Sequence, residues 1–154
     1  MNINKFTGLM AAPFTPLTST GEINLSKISE YALYLSTRGV SGAFVSGTSG
    51  EGTSLSVKSR KLIAQQWKKH SADNFKLFIQ VGHTCLEDSC EMASHAQELG
   101  VDAISTMAPL FFKPNNLMEL ISYCKAVAES APNTPFYYYH IPGMTGVNFP
   151  MRDF

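Results

Sequence analysis

Five short apolar runs, one about every 30 residues, alternate with longer stretches whose apolar residues recur at three and four positions. Runs that are apolar on both faces suit strands covered by helices on a parallel sheet. They lie at Gly8–Ala12, Ala43–Val45, Leu77–Val81, Ala103–Met107 and Phe136–Tyr139. The first helix is expected from a cap at Asn24, striped by Ile28, Tyr31, Ala32 and Leu35 and stopped by Gly39. The second spans 56–69, with Ile63 and Trp67 inward and Lys58, Arg60, Lys61, Lys68 and Lys69 outward. Thr84 and Glu87 have the spacing of a capping box, and Leu86, Cys90, Ala93 and Ala96 stripe the helix that follows, up to Gly100. A fourth helix is expected from near Asn116, carrying Leu120, Ile121, Cys124 and Val127 and ending before Pro132. The order βαβαβαβαβ leaves two α/β architectures, an open doubly wound sheet or a (β/α)₈ TIM barrel. No GxGxxG follows the first run, which argues against a dinucleotide-binding fold.

Composition narrows the partners. Twelve basic and twelve acidic residues leave a formal net charge of zero, so no basic stripe recruits nucleic acid. No apolar run approaches the roughly 20 residues of a membrane span. The N-terminal MNINKFTGLMAAPF is a poor signal peptide, its apolar stretch broken by Pro13. Cys85, Cys90 and Cys124 are odd in number and lack CxxC spacing, as expected of reduced thiols in a cytoplasmic chain.

In both architectures functional groups gather at the carboxyl ends of strands. After the second run stands GTSGEG, residues 47–52. Glycines there let successive backbone N–H groups turn toward one point, and Thr48 and Ser49 add hydroxyls, a set suited to a small carboxylate. The alternative is a tight turn whose hydroxyls cap the next helix. The fifth run, FYYY, puts Tyr137 and Tyr139 on one face and Phe136 and Tyr138 on the other. Tyr139 at the mouth is placed to relay a proton if neighbouring donors, Thr48 among them, stabilise its phenolate; otherwise it is a core tyrosine with a wet hydroxyl. Glu51, His83 and His140 all stand at strand ends as a possible metal trio. Lys113, between Phe112 and Pro114, is an imine candidate with nothing nearby to depress its pKa.

GTSGEG together with YYYHIPGMTG resembles the pyruvate-dependent Schiff-base aldolase family, the group of N-acetylneuraminate lyase and dihydrodipicolinate synthase. The resemblance runs from about Phe6 to Asn148 and includes FTGLMAAPFTP, GEIN and APLFFKP. It implies a single (β/α)₈ barrel domain, of which residues 1–154 form the N-terminal portion, with about five parallel strands and four helices. YYYHIP followed by a small residue, an apolar residue and TG is most similar to the lyases of animal type. The synthases usually carry an arginine where Met144 stands, which makes a synthase-like aldolase the runner-up. The resemblance gives Thr48 and Ser49 the pyruvate carboxylate end of the substrate, and makes Tyr139 the proton donor and acceptor for carbon–carbon cleavage. Phe111 matches a position that in many bacterial relatives is a tyrosine reaching into a neighbouring subunit. The implied protein is a cytoplasmic homotetramer acting on a small molecule, sialic acid or pyruvate, with no cofactor, no metal, no nucleic acid and no membrane.

In that family the imine-forming lysine lies on the sixth strand. The lysines here are Lys5, Lys27, Lys58, Lys61, Lys68, Lys69, Lys76, Lys113 and Lys125, and none matches it. The expectation is therefore a truncated lyase, inactive alone, with bare edges on an incomplete barrel. A fragment, a short isoform, an incomplete gene model and a non-catalytic subunit all fit that expectation.

Overall fold

A computed structural model describes residues 6–154. Lys5 and the first half of MNINKFTGLM lie outside the described residues. The strands are β1 (Met10–Ala11), β2 (Gly42–Val45), β3 (Lys76–Gln80), β4 (Ala103–Thr106) and β5 (Phe136–Tyr138). Between them run α1 (Leu25–Thr37), α2 (Val57–His70), α3 (Leu86–Glu98) and α4 (Leu117–Glu129). Beyond the four expected helices comes α5 (Pro142–Thr145), a single turn that starts on a proline and closes on Gly146 at φ 68°. All pairings are parallel, and the strand order is β1-β2-β3-β4-β5. Doubly wound sheets reverse their order at a switch point, whereas a barrel adds each strand beside the last. The unbroken order is that of a barrel wall.

The helix stripes meet the outer face of the sheet. Ala43, Val45, Leu77, Ile79 and Ile104 join Ile28, Ile63, Trp67, Ala93 and Val127 in one buried cluster. Tyr138 and Phe136 pack outward against the Leu120–Cys124 side of α4. Residues of the opposite parity face inward: Phe78 lies 5.0 Å from Tyr137, and Phe6 caps both rings at 4.7 and 6.2 Å. Gly42 belongs to this face, where a Cβ would strike the Lys76 carbonyl and the Met10 sulfur.

The structure departs from three local expectations. Asn24 does precede α1, but its side chain accepts from the Ser26 hydroxyl (2.7 Å) and makes no cap bond to the helix. Thr84 and Glu87 form no capping box; α3 has Cys85 at its N-cap position without a side-chain cap. His83 takes over, its Nδ1 accepting the Cys85 N–H at 3.1 Å, while the His83 N–H donates to the Ser89 hydroxyl at 2.8 Å. Arg60 is not outward. It is 2% exposed and reaches the carbonyls of Gln80 and Gly82 and the Gln80 side chain at the end of β3. Burial lowers its pKa to about 10, so it remains charged at neutral pH, held by carbonyl dipoles instead of a carboxylate.

His95 is buried between α2 and α3, with Nε2 3.1 Å from the Gln65 amide nitrogen. The amide donates, so this ring nitrogen is an acceptor and the imidazole is neutral. Burial first, then the Lys61 charge, holds its pKa below the ordinary 6.5. The unfolded chain takes up this proton near 6.5, while the folded chain does so only at lower pH. Stability is therefore unaffected by His95 above 6.5 and declines as pH falls through the window below it. Urea titrations at stepped pH check this: His95→Gln is expected to flatten the acid slope, and an unchanged slope would refute the assignment.

Candidate active site at the carboxyl ends of the strands

Beyond β2 the chain turns sharply. Ser46 (φ 58°) and Glu51 (φ 52°) both take the left-handed conformation that non-glycine residues rarely adopt. Gly47 and Gly50 between them, and Gly52 just after, stand where side chains have no room. A Cβ at Gly47 would meet the Phe44 ring, at Gly50 the Pro13 carbonyl and the Ser46 backbone, and at Gly52 the Ser46 carbonyl oxygen. The Thr15 hydroxyl, from the segment after β1, donates to the Gly50 carbonyl at 2.7 Å. The Glu51 and Gly52 amides close back onto the Thr48 and Gly47 carbonyls. The Thr48, Ser49 and Gly50 amides donate to no acceptor among the described residues. Thr48 and Ser49 are exposed at the mouth of the sheet. Free amides beside two hydroxyls on a glycine-built bend are hydrogen-bond donors of the kind that a small anion can accept from. Gly52→Ala drives a methyl into the backbone of Ser46, so we expect a loss of about 1–3 kcal/mol of stability. Thermal unfolding checks this; a variant as stable as the parent would show that the bend has slack.

Tyr139 comes to the same place from β5. Its hydroxyl lies 3.5 Å from the Thr48 hydroxyl, and its ring meets Phe44 edge-on at 5.2 Å. β2 and β5 are three strand spacings apart, about 14 Å in a flat sheet. Contact between their ends requires the sheet to curl inward, as a barrel wall does. The backbone holds Tyr139 through its N–H, which donates to the Thr106 carbonyl at 2.7 Å. Thr106 is tied below by the Tyr123 hydroxyl at 3.3 Å, which also donates to the His83 carbonyl and meets Ser89.

The other two tyrosines of the run are differently placed. Tyr137 faces inward but deeper, against Phe6 and Phe78. Tyr138 faces outward, stacked on Phe154 at 5.0 Å, and burial with the neighbouring Cys124 pushes its phenol up to about 12. Of the three, only the Tyr139 hydroxyl meets the bend.

The family model of the dihydrodipicolinate synthetase family matches residues 5–154. The chain belongs to that family. The N-acetylneuraminate lyase of Danio rerio is 48% identical over 153 residues, 98% of this chain and 50% of the relative. Among solved structures, the N-acetylneuraminate lyase of Proteus mirabilis superposes with a TM-score of 0.94 at 41% identity, covering 97% of this chain and 50% of that one. A Ruminococcus gnavus sialic acid aldolase, solved as a catalytic lysine mutant, superposes at 0.92 with 31% identity, covering 98% and 49%. The chain thus spans about half the length of these relatives, and its five strands and their helices match the TIM-barrel fold of the family.

The remaining candidates of this family member do not join the site. Glu51, His83 and His140 form no metal-binding group among the described residues. His83 instead lies 3.2 Å from Asp88 at the start of α3, and the His140 Nδ1 is buried without a partner among the described residues. Lys113 is exposed, and a Cβ on Gly146 would run into its Nζ, so the amine lies over the end of α5. Lys27, Lys61 and Lys125 pair with Glu30, Glu91 and Glu129 on the helices, and Lys76 pairs with Asp102 at the amino ends of β3 and β4. Among the described residues, no helix is long and apolar enough to cross a membrane. Sequence reasoning passed over Ser46 and Phe44, which build the bend and seat the phenol. Neither residue type carries a signal; only the left-handed backbone and the ring contact reveal them.

Proposed function

We propose that this chain forms the amino-terminal half of the active site of an N-acetylneuraminate lyase, the aldolase that splits N-acetylneuraminate into N-acetylmannosamine and pyruvate. The observation that carries the reading is the 3.5 Å approach of the Thr48 and Tyr139 hydroxyls beside three free amides. The pyruvyl carboxylate sits against the bend, taking hydrogen bonds from Thr48 and Ser49. Tyr139 stands beside the carbons that part. As their bond breaks, the phenolate takes the proton of the hydroxyl that becomes the aldehyde oxygen, and returns a proton to the pyruvyl carbon. Thr48 stabilises the phenolate by donating to it, which a lone buried phenol lacks. An imine to a lysine supplies the electron sink in this chemistry, and no lysine of this chain stands at the family position. Alone, the chain is expected to hold the keto acid without turning it over.

Met144 supports the lyase over the synthase: it is 63% exposed, and a thioether cannot grip a second carboxylate. Zero net charge and the exposed Phe111–Phe112 pair support a cytoplasmic, homotetrameric enzyme of carbohydrate metabolism, without nucleic acid or membrane partners.

The test is a fused barrel, residues 1–154 followed by the remaining half of the Danio rerio lyase. Release of pyruvate from N-acetylneuraminate is the expected result. A folded fusion that leaves this sugar acid untouched would end the lyase reading, and one that only condenses pyruvate with a second substrate would point to the synthase branch. Borohydride treatment of the unfused chain with pyruvate should leave its intact mass unchanged. A trapped adduct would bring Lys113 back as an imine former.

A further inference from the structure

Ser46 combines two unfavourable features in one residue. Its φ of 58° lies in the left-handed region, and its hydroxyl is buried without a partner among the described residues. The residue is 3% exposed, and sits where β2 gives way to the Gly47–Gly52 bend. A glycine would remove both features, since it accepts positive φ and has no hydroxyl. Strain that persists beside a site, when a simple substitution would relieve it, points to a role in that site.

The packing shows what the strain does. Gly50 lies against the Ser46 N and Cα, and Gly52 against its carbonyl oxygen and Cβ. The bend is thus wrapped around Ser46, and the direction in which the Thr48, Ser49 and Gly50 amides point follows from that one residue's backbone. A residue with a side chain samples less of φ/ψ space than glycine, so the surrounding packing has fewer competing conformations to exclude. We propose that Ser46 is a positioning residue, held in a strained conformation that keeps the anion-binding amides aimed into the mouth before any ligand arrives. This rests on the carboxylate-binding reading of the bend and extends it: preorganisation there is bought with stability.

The test uses the 154-residue chain and sodium pyruvate, with affinity read by ligand-observed NMR and stability by thermal unfolding. Ser46→Gly is expected to raise the melting temperature by about 2–4 °C and to weaken pyruvate binding by roughly threefold or more. Ser46→Asn, which tolerates the left-handed conformation, is expected to keep binding within twofold of the parent, roughly the scatter allowed to a rescue. Opposite movement of stability and affinity in the glycine variant, with rescue by asparagine, is a signature that a purely structural residue does not produce. Unchanged affinity in Ser46→Gly, or equal loss in Ser46→Asn, overturns the positioning role while leaving the bend as a carboxylate site. Absence of pyruvate binding by the parent chain overturns the carboxylate reading and this inference with it.

Discussion

Tyr139→Phe in the fused barrel is expected to lower lyase turnover by about 10²–10⁴-fold, the usual worth of a positioned acid–base group. The substitution removes one oxygen and leaves the ring, so its edge contact with Phe44 at 5.2 Å survives and the site keeps its shape. The Thr48 and Ser49 bend is untouched, so KM should move little while kcat falls. Tyr137→Phe is the control. That ring lies deeper, among Phe6 and Phe78, and loss of its hydroxyl should leave turnover near the parent value. Equal losses from both substitutions, or a Tyr139→Phe enzyme of normal kcat, would remove Tyr139 from the chemistry. Thr48→Val provides a graded check, since it deletes the hydroxyl 3.5 Å from the phenol and should lower kcat by less than Tyr139→Phe does.

Trp67→Ala should cost about 3–5 kcal/mol, a large share of the roughly 5–15 kcal/mol by which domains are stable. Trp67 is 1% exposed, stacks on Phe75 at 6.4 Å and meets Tyr31 of α1 at 5.7 Å. It therefore joins α1, α2 and the segment leading into β3, and alanine leaves a cavity that three elements line. Urea unfolding followed by circular dichroism reads the loss. Leu33→Ala on α1, 63% exposed, should stay within about 0.5 kcal/mol of the parent. A Trp67→Ala chain as stable as Leu33→Ala would show that the α1–α2 seam contributes little to holding the sheet.

Much of the fold was legible because its signals are local. Alternation of apolar runs with helical stripes needs only neighbouring residues, so all five strands and the four long helices fall within a few residues of their expected places. Helix starts were less legible: Thr84 and Glu87 have the right spacing, yet His83 and Ser89 satisfy the same turn through Tyr123, a partner 40 residues from His83. Arg60 fits a cationic helix face by periodicity. It turns inward because the carbonyls at the end of β3 accept its N–H groups, and their position follows from strand packing.

The sequence by itself determined the element order, the glycine-rich stretch at residues 47–52 and the shared face of Tyr137 and Tyr139. Those are matters of spacing and residue type. Spacing left an open sheet and a barrel wall both possible, the resemblance implied the barrel, and the strand order bears it out. Only the tertiary structure brought Thr48 to Tyr139 across 91 residues and exposed the strain at Ser46. The physical reason is that curvature belongs to the sheet as a whole. It arises from how five twisted strands and their covering helices pack together, and no short stretch of chain encodes where two distant strand ends will meet.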